Sequence, residues 1–332
     1  MSAPLLSVRN LSVEFHGNRT ASALNQVNLD VPSGHVLALL GESGSGKSVT
    51  LRTLLRLHAE RSTHISGSIV VDGVDVLQMR GKELEHYRGG IVSMVFQESG
   101  LAFDPVYTIG QQISEAIRAH EKISRKDARE RALQMLEKVQ IPQPQQRYEA
   151  YPHELSGGMR QRAMIALALA CSPKLLLADE PTTALDATVQ IQILLLLRAL
   201  QRETGMSVIF VTHDIGAAVE MADSIAVMYA GRIVEQAAVA DIVQRPRHPY
   251  TAGLLQSTVG EADRGHTLTT IPGSPPDLAA LPAGCAFAPR CSYAEDICRQ
   301  EQPVLAQHGA SKTACWFPIA WSASFSEKAV AA

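Results

Sequence analysis

Eight residues, Gly41-Glu-Ser-Gly-Ser-Gly-Lys-Ser48, combine three glycines, a lysine and a closing hydroxyl at the spacing an anion cradle requires. Glycines at 41, 44 and 46 let backbone N–H groups curl around phosphate oxygens, Lys47 adds a mobile positive charge, and Ser48 offers a hydroxyl to Mg²⁺. Ser43, Ser45 and Val49 complete the stretch expected to line the phosphates. Farther on, the apolar run Lys174–Ala178 ends in two adjacent carboxylates, Asp179 and Glu180. Asp179 can hold a metal directly or through water, and Glu180 can polarise a water that attacks a phosphoryl group. Between these sites, Leu155-Ser-Gly-Gly-Met159 opens the helical pattern Arg160–Ala170, which makes it a second glycine-bearing helix start able to bind an anion.

Chemistry of another kind is concentrated near the far end. Four of the five cysteines, Cys285, Cys291, Cys298 and Cys315, fall in one segment. Such clustering, in a chain expected to be cytosolic, reads as metal ligation before disulfide bonding. Soft thiolates in a loop-rich stretch suit either Zn²⁺ or an iron–sulfur cluster, and the irregular spacing lacks the C-x2-C pairs typical of zinc. Cys171 ends an apolar helical pattern and reads as a small core residue.

The elements that must position these groups alternate along the chain. Short apolar runs at His35–Leu40, Ile91–Phe96, Lys174–Ala178 and Ser207–Thr212 are separated by helical patterns, which predicts buried parallel strands covered by helices. The fold class expected is therefore α/β. Leu6–Phe15 and Ala23–Val31 alternate like antiparallel strands around a polar turn at Gly17–Thr20 and should form a side sheet. From Thr108 to Tyr151 the chain reads as helical, with Pro142 and Pro144 marking a stop. Beyond Gln236 the proline density predicts an appendage of loops and short pieces.

At 332 residues the chain exceeds the usual reach of one core, so a large domain with a smaller appendage is expected. A formal charge of −3 provides no basic footprint for nucleic acid. Met1–Asn10 shows no cationic start followed by a long apolar stretch, and no run of 18 apolar residues occurs, so the chain is expected neither to be secreted nor to span a membrane by itself. No internal repeat is visible, so a single copy of the phosphate-loop unit is expected per chain.

Taken together, these motifs resemble the ATPases of ABC transporters. The phosphate loop corresponds to Walker A of that family, the strand ending in Asp179-Glu180 to Walker B, and Leu155-Ser-Gly-Gly-Met159 to its signature. The resemblance implies a P-loop NTPase, RecA-like core with an antiparallel β subdomain, a helical subdomain and a small irregular C-terminal cysteine-rich appendage. It implies Gln97 as the Q-loop residue and a further Mg²⁺ contact, Asp186 of Ala184-Leu-Asp186 as the D-loop, His213 as the switch histidine, and Phe15 as an aromatic that stacks on adenine. Catalysis would rest on Glu180, His213 and Gln97, with ATP and Mg²⁺ bound. Ser156, Gly157 and Gly158 of one subunit would close on ATP held by the other, in a head-to-tail pair.

The tail narrows the resemblance. Arg247-His-Pro-Tyr-Thr251, Pro272-Gly and the four cysteines resemble ATPase subunits of oligopeptide, dipeptide and nickel importers, closest to the dipeptide type. That likeness implies a cassette over 1–245 with its helical subdomain at about 98–160, a C-terminal domain over 246–320, and a disordered tail over 321–332. It also implies a [4Fe–4S] centre on Cys285, Cys291, Cys298 and Cys315, with Zn²⁺ as the alternative. Expected partners are a second ATPase subunit, a paralogue being favoured, two membrane permeases and an extracytoplasmic substrate-binding protein, at the cytoplasmic face of the inner membrane. Readings that compete with import are a soluble ABC ATPase of repair or regulation and an exporter motor. Gln97 is followed by Glu98-Ser99-Gly100 where the family has an acidic residue and then proline, so a looser coupling loop is expected here.

Overall fold

The computed structural model describes residues 3–17, 19–183, 185–257 and 270–320; Ala184 and the tail 321–332 lie outside the described residues. The chain divides into two compact units, the first made of Met1–Leu5, Val31–Val36 and Val71–Val211, the second of Leu6–Asp30, Leu37–Val70 and Thr212–Ala332.

In the first unit, β6 (Val92–Val95), β7 (Leu175–Asp179) and β8 (Ser207–Thr212) lie side by side in parallel, with Val95 opposite Ala178 and Asp179 opposite Val211. Every residue of β7 and β8 is buried. That explains why these strands read as unbroken apolar runs instead of alternating patterns: a strand covered on both faces has no polar side. A short β5 (Val74–Asp75) and helix α2 (Gly81–His86) precede β6.

The connection from β6 to β7 carries α3 (Ser99–Ala102), α4 (Ile109–His120), α5 (Arg125–Lys138), α6 (Pro144–Tyr148) and α7 (Gly157–Leu169). Thr108 starts α4 with a reciprocal capping box to Gln111, and Ile109, Ile113 and Ile117 form its buried stripe. On α5 the buried positions are Ala128, Ala132 and Leu136, of which the two alanines are small enough to let helices approach closely. Gly110 carries this further: a Cβ there would stand 2.2 Å from the Tyr148 ring, so only glycine lets α4 lie against α6. Pro144 does more than the stop expected of it. It opens α6 at the first-turn position, where a missing N–H costs no helical hydrogen bond. α8 (Ala187–Thr204) returns the chain to β8 and ends on Gly205 in the left-handed conformation.

In the second unit, β3 (Val36–Leu40) pairs in parallel with β9 (Ser224–Tyr229), with Leu40 opposite Val227. β10 (Arg232–Ala238) runs antiparallel to β9. A side sheet has the order β2, β1, β4, formed by β1 (Leu6–Phe15), β2 (Ala21–Val31) and β4 (Thr63–Val71). Helices α1 (Lys47–Leu54) and α9 (Ile215–Met221) follow β3 and β8. The C-terminal segment is more regular than its prolines predict. It forms α10 (Val239–Gln244), α11 (Pro249–Gln256), α12 (Asp296–Gln300), β11 (Ala306–His308) and β12 (Ser311–Thr313). β12 adds to the edge of β10, Glu235 opposite Thr313, and β11 adds to β12. Three residues suffice to extend an existing sheet edge, and so short a segment carries no periodicity that a sequence could display. Among the described residues no helix is long and apolar enough to cross a membrane.

Candidate functional site

The phosphate loop leaves β3 and enters α1 as its sequence predicts. Gly41, Gly44 and Gly46 have φ of 154°, 78° and 104°. At Gly41 a Cβ would stand 2.3 Å from the Met228 carbonyl oxygen, whereas no atom lies within 4 Å of the corresponding point at Gly44. The first glycine is thus needed for packing and the second borders open space where an anion can sit. Lys47 is buried, and its Nζ donates to the carbonyl oxygens of Gly41, at 2.7 Å, and Glu42, at 3.0 Å. An ammonium held on its own loop, just ahead of a helix start, is positioned to swing onto a phosphate. Ser48 occupies the next helical position. His213 shares a cavity of about 370 Å³ with Gly41, Glu42, Ile215, Leu254 and Ile271, so the structure brings the histidine to the beginning of the loop. Phe15 ends β1 and meets the His58 ring edge-on, with centroids 5.2 Å apart.

The first unit holds the carboxylates. Asp179 ends β7 and is 2% exposed, while Glu180 follows with φ of 45°, a left-handed conformation uncommon for a residue with a side chain. Its Oε2 accepts from Thr183 Oγ1 at 2.9 Å and from Gln97 Nε2 at 3.3 Å. Gln97 and Glu180, 83 residues apart, are thus brought together. After Gln97 the chain forms the single helical turn α3.

Ser156 caps α7, its Oγ accepting the Met159 N–H at 3.3 Å, and is exposed to solvent. Gly157 and Gly158 follow as the first two helical residues; a Cβ at Gly158 would come to 3.0 Å from Val189 of α8. Asp186 caps α8 by accepting the Val189 N–H at 3.0 Å. The signature and the D-loop aspartate therefore lie in one packed neighbourhood, with the helix start facing outward.

Cys285, Cys291, Cys298 and Cys315 line a single cavity, walled also by Phe287 and Trp316. The Cys285 N–H donates to the Cys298 carbonyl at 2.7 Å. Burial pushes the thiols of Cys285 and Cys291 up and that of Cys315 to about 11, so without a metal they remain protonated. Among the described residues no three His, Cys, Asp or Glu side chains close tightly enough on one point to hold a metal ion as they stand. The donor chemistry fits a soft metal group, and the four chain segments bring it to one place. Cys171 stands apart in the first unit, half-buried, with its Sγ on the Ala116 carbonyl.

Sequence reasoning missed two polar anchors. Glu235, fully buried on β10, accepts the N–H groups of Arg247 and His248 at 2.7 and 2.9 Å, fixing the entry to α11. Burial drives the His248 pKa down to about 3, so its neutral ring accepts the Tyr250 N–H at 3.0 Å. The other anchor is Arg290, which forms a bidentate pair with Glu42 inside the phosphate loop. Glu235 sits in an apolar alternation that could have flagged it; nothing in the sequence links Arg290 to a residue 248 positions away.

The family described as ABC transporter matches residues 24–183, and that described as oligopeptide/dipeptide transporter, C-terminal region, matches residues 234–298. A Brucella melitensis protein named for peptide import ATP binding is 48% identical over 333 residues, covering 96% of this chain and 98% of its own. A Sinorhizobium fredii protein named as a peptide ABC transporter ATP-binding protein is 47% identical over 317 residues, 94% of each chain. Among solved structures, the dimeric cassette MJ0796 in a post-hydrolysis state with ADP and Pi superposes with a TM-score of 0.63 at 29% identity, over 70% of this chain and 98% of that one. CbiO1 of Clostridium perfringens, part of an ABC transporter complex, gives 0.62 at 27% identity, over 73% of this chain and 91% of that one. A phosphate loop, a strand-end carboxylate pair and a capped signature helix, set in a P-loop α/β fold, agree with these likenesses. This chain belongs to the ATP-binding cassette family of ABC transporters: it is an ABC ATPase that carries the oligopeptide/dipeptide transporter C-terminal region behind its cassette.

Proposed function

We propose that this chain is the ATPase subunit of a peptide importer, attached to the cytoplasmic face of the inner membrane. The observation that carries this reading is the union, in one chain, of a cassette with the oligopeptide/dipeptide transporter C-terminal region, together with relatives named for peptide import that match almost end to end. Residues 1–245 form the cassette and 246–320 the C-terminal domain. A second cassette, a paralogue by preference, faces this one across two nucleotides; two permeases and an extracytoplasmic binding protein complete the assembly.

In the mechanism, Gly41–Ser48 and Val49 wrap the phosphates of ATP, with Lys47 leaving its parked carbonyls for the phosphate oxygens. Ser48, Asp179 and Gln97 are oxygen donors of the hard type that Mg²⁺ takes. Phe15 lies against adenine. Ser156, Gly157 and Gly158 present their helix start to the nucleotide of the facing subunit, where aligned N–H groups stabilise a developing negative charge. Glu180 draws the proton of the attacking water, His213 senses the γ-phosphate, and Asp186 lines the facing site. Gln97 links hydrolysis to the permease, because it touches Glu180 and begins the stretch that leads into α3 and α4.

Cys285, Cys291, Cys298 and Cys315 hold a [4Fe–4S] cluster, with Zn²⁺ as the alternative occupant. When bound, such a group ties together four segments of the C-terminal domain and supplies a centre able to take an electron. Support comes from four thiols around one cavity and from their irregular spacing.

Affinity capture from detergent-solubilised membranes tests both parts. The expected result is co-purification with a second cassette and two membrane proteins, and a brown anaerobic sample whose visible band bleaches on reduction and disappears in Cys315→Ser. Capture of no membrane partner, with ATP hydrolysis stimulated by nucleic acid, would overturn the importer reading. A colourless sample holding one zinc per chain would transfer the thiols to zinc.

A further inference from the structure

We infer that Arg290 and Tyr250, both from the C-terminal segment, are positioning residues of the nucleotide site that fix the phosphate loop at Glu42. This inference rests on the reading of Gly41–Ser48 as the ATP cradle. The N–H, the carbonyl and the carboxylate of Glu42 are all tied down, and two of these three groups are held by residues more than 200 positions away. Its carboxylate takes both arms of Arg290, Oε2 from Nη1 at 2.6 Å and Oε1 from Nη2 at 3.0 Å. Its backbone N–H donates to the Tyr250 hydroxyl at 2.9 Å. Its carbonyl accepts from Lys47 Nζ at 3.0 Å and from the Ser45 N–H at 3.2 Å. Residue 42 is therefore where the C-terminal segment takes hold of the loop and where the loop holds its lysine.

The pair is built with care on the Arg290 side. Its side chain is 6% exposed, against 27% for Glu42. Nε donates to the Pro272 carbonyl at 2.8 Å and Nη1 also reaches the Tyr229 hydroxyl at 3.3 Å, so the guanidinium fork is locked in orientation. Tyr250 is fully buried and packs on Tyr229, with centroids 4.6 Å apart.

The chemistry of the loop gives this arrangement a purpose. Glu42 brings a carboxylate to the second position of a cradle that must bind a polyanion, and an uncompensated negative charge there repels phosphate. Arg290 cancels that charge and turns the carboxylate aside, while Tyr250 sets the peptide plane that carries the carbonyl on which Lys47 rests. A mere staple between segments would need neither function. Removing it would lower stability, yet ATP affinity in the folded protein would be unaffected by the charge of Glu42.

The test measures ATP affinity, with a fluorescent ATP analogue on the full chain, and KM and kcat in the detergent-solubilised native complex. Arg290→Ala is expected to raise KM for ATP by about tenfold while kcat falls less than about threefold, since a positioning group acts on the loop before chemistry. Adding Glu42→Gln to Arg290→Ala should bring KM back to within about threefold of the starting value, because the orphaned charge is gone. Arg290→Lys should recover part of the loss, and Tyr250→Phe, which deletes the acceptor of the Glu42 N–H, should raise KM by about threefold. An unchanged KM in a folded Arg290→Ala protein overturns the inference, and so does a double variant that binds ATP no better than Arg290→Ala alone. If Arg290→Ala fails to fold, Glu42→Gln alone decides: tighter ATP binding supports the inference and weaker binding contradicts it. Lys47→Ala is the control for the underlying site, since retained ATP affinity there would fell the cradle reading itself.

Discussion

Replacing Glu180 with Gln is expected to stop steady ATP turnover by at least about a hundredfold while ATP remains bound, because general-base assistance contributes about 10²–10⁴. The substitution keeps shape and hydrogen-bonding reach. The Thr183 hydroxyl and the Gln97 amide, which converge on Oε2 at 2.9 and 3.3 Å, can still meet an amide oxygen. The capacity to accept a proton from water is lost. The backbone at Glu180, with φ of 45°, supports the same reading: a strained conformation is maintained where it aims a functional group, and a Gln tolerates it no worse than a Glu. Phosphate release from the purified complex measures turnover, and retention of radiolabelled ATP measures binding. Turnover within a few fold of the parent would remove Glu180 from the chemistry and leave its carboxylate as a structural acceptor for the Q-loop.

Lys47→Ala is expected to weaken ATP binding by about 10- to 100-fold, the range that a lost hydrogen bond to a charged group supports. Two observations make the lysine the strongest single contributor. It is buried at 5% exposure, so its charge is little screened, and its Nζ donates to the carbonyls of Gly41 and Glu42. A carbonyl is a weaker partner than a phosphate, so exchanging one for the other favours the bound state. The substitution should not unfold α1, since alanine is the better helix former and the buried contacts of Leu51 and Leu54 remain. Fluorescence titration with a nucleotide analogue gives the affinity, and far-ultraviolet circular dichroism verifies the fold. Undiminished affinity in a folded variant would mean that the glycine loop does not carry the phosphate site.

How much of this was legible in the sequence depends on how locally each feature is encoded. The buried strands were legible because burial on both faces removes polar residues altogether: Leu175–Asp179 and Ser207–Thr212 are buried at every position. The phosphate loop and the signature were legible because each is a continuous segment whose glycines, hydroxyl and following helix answer a single demand, close approach of backbone to an anion. The Gln97–Glu180 contact was accessible only through resemblance, since a glutamine at a strand end has many ordinary uses. Pro144 shows the limit of reading breakers: α5 has already ended at Lys138, and the proline opens α6. The C-terminal segment was the least legible. Its order comes from β12 borrowing an edge from β10, from Glu235 capping a distant turn, and from Arg290 reaching Glu42, all long-range pairings between residue types common on any surface.

The account stands on nucleotide held between the Lys47 loop of one cassette and the Ser156 helix start of the facing one. Electron cryo-microscopy of the assembled complex, carrying Glu180→Gln and saturated with Mg·ATP, tests this directly. The account predicts a closed pair in which the Ser156 end of α7 abuts the γ-phosphate of ATP bound to the facing subunit, while Lys47 contacts the phosphates of the other ATP. A closed, ATP-loaded complex in which the Ser156 end of α7 meets no nucleotide would contradict it.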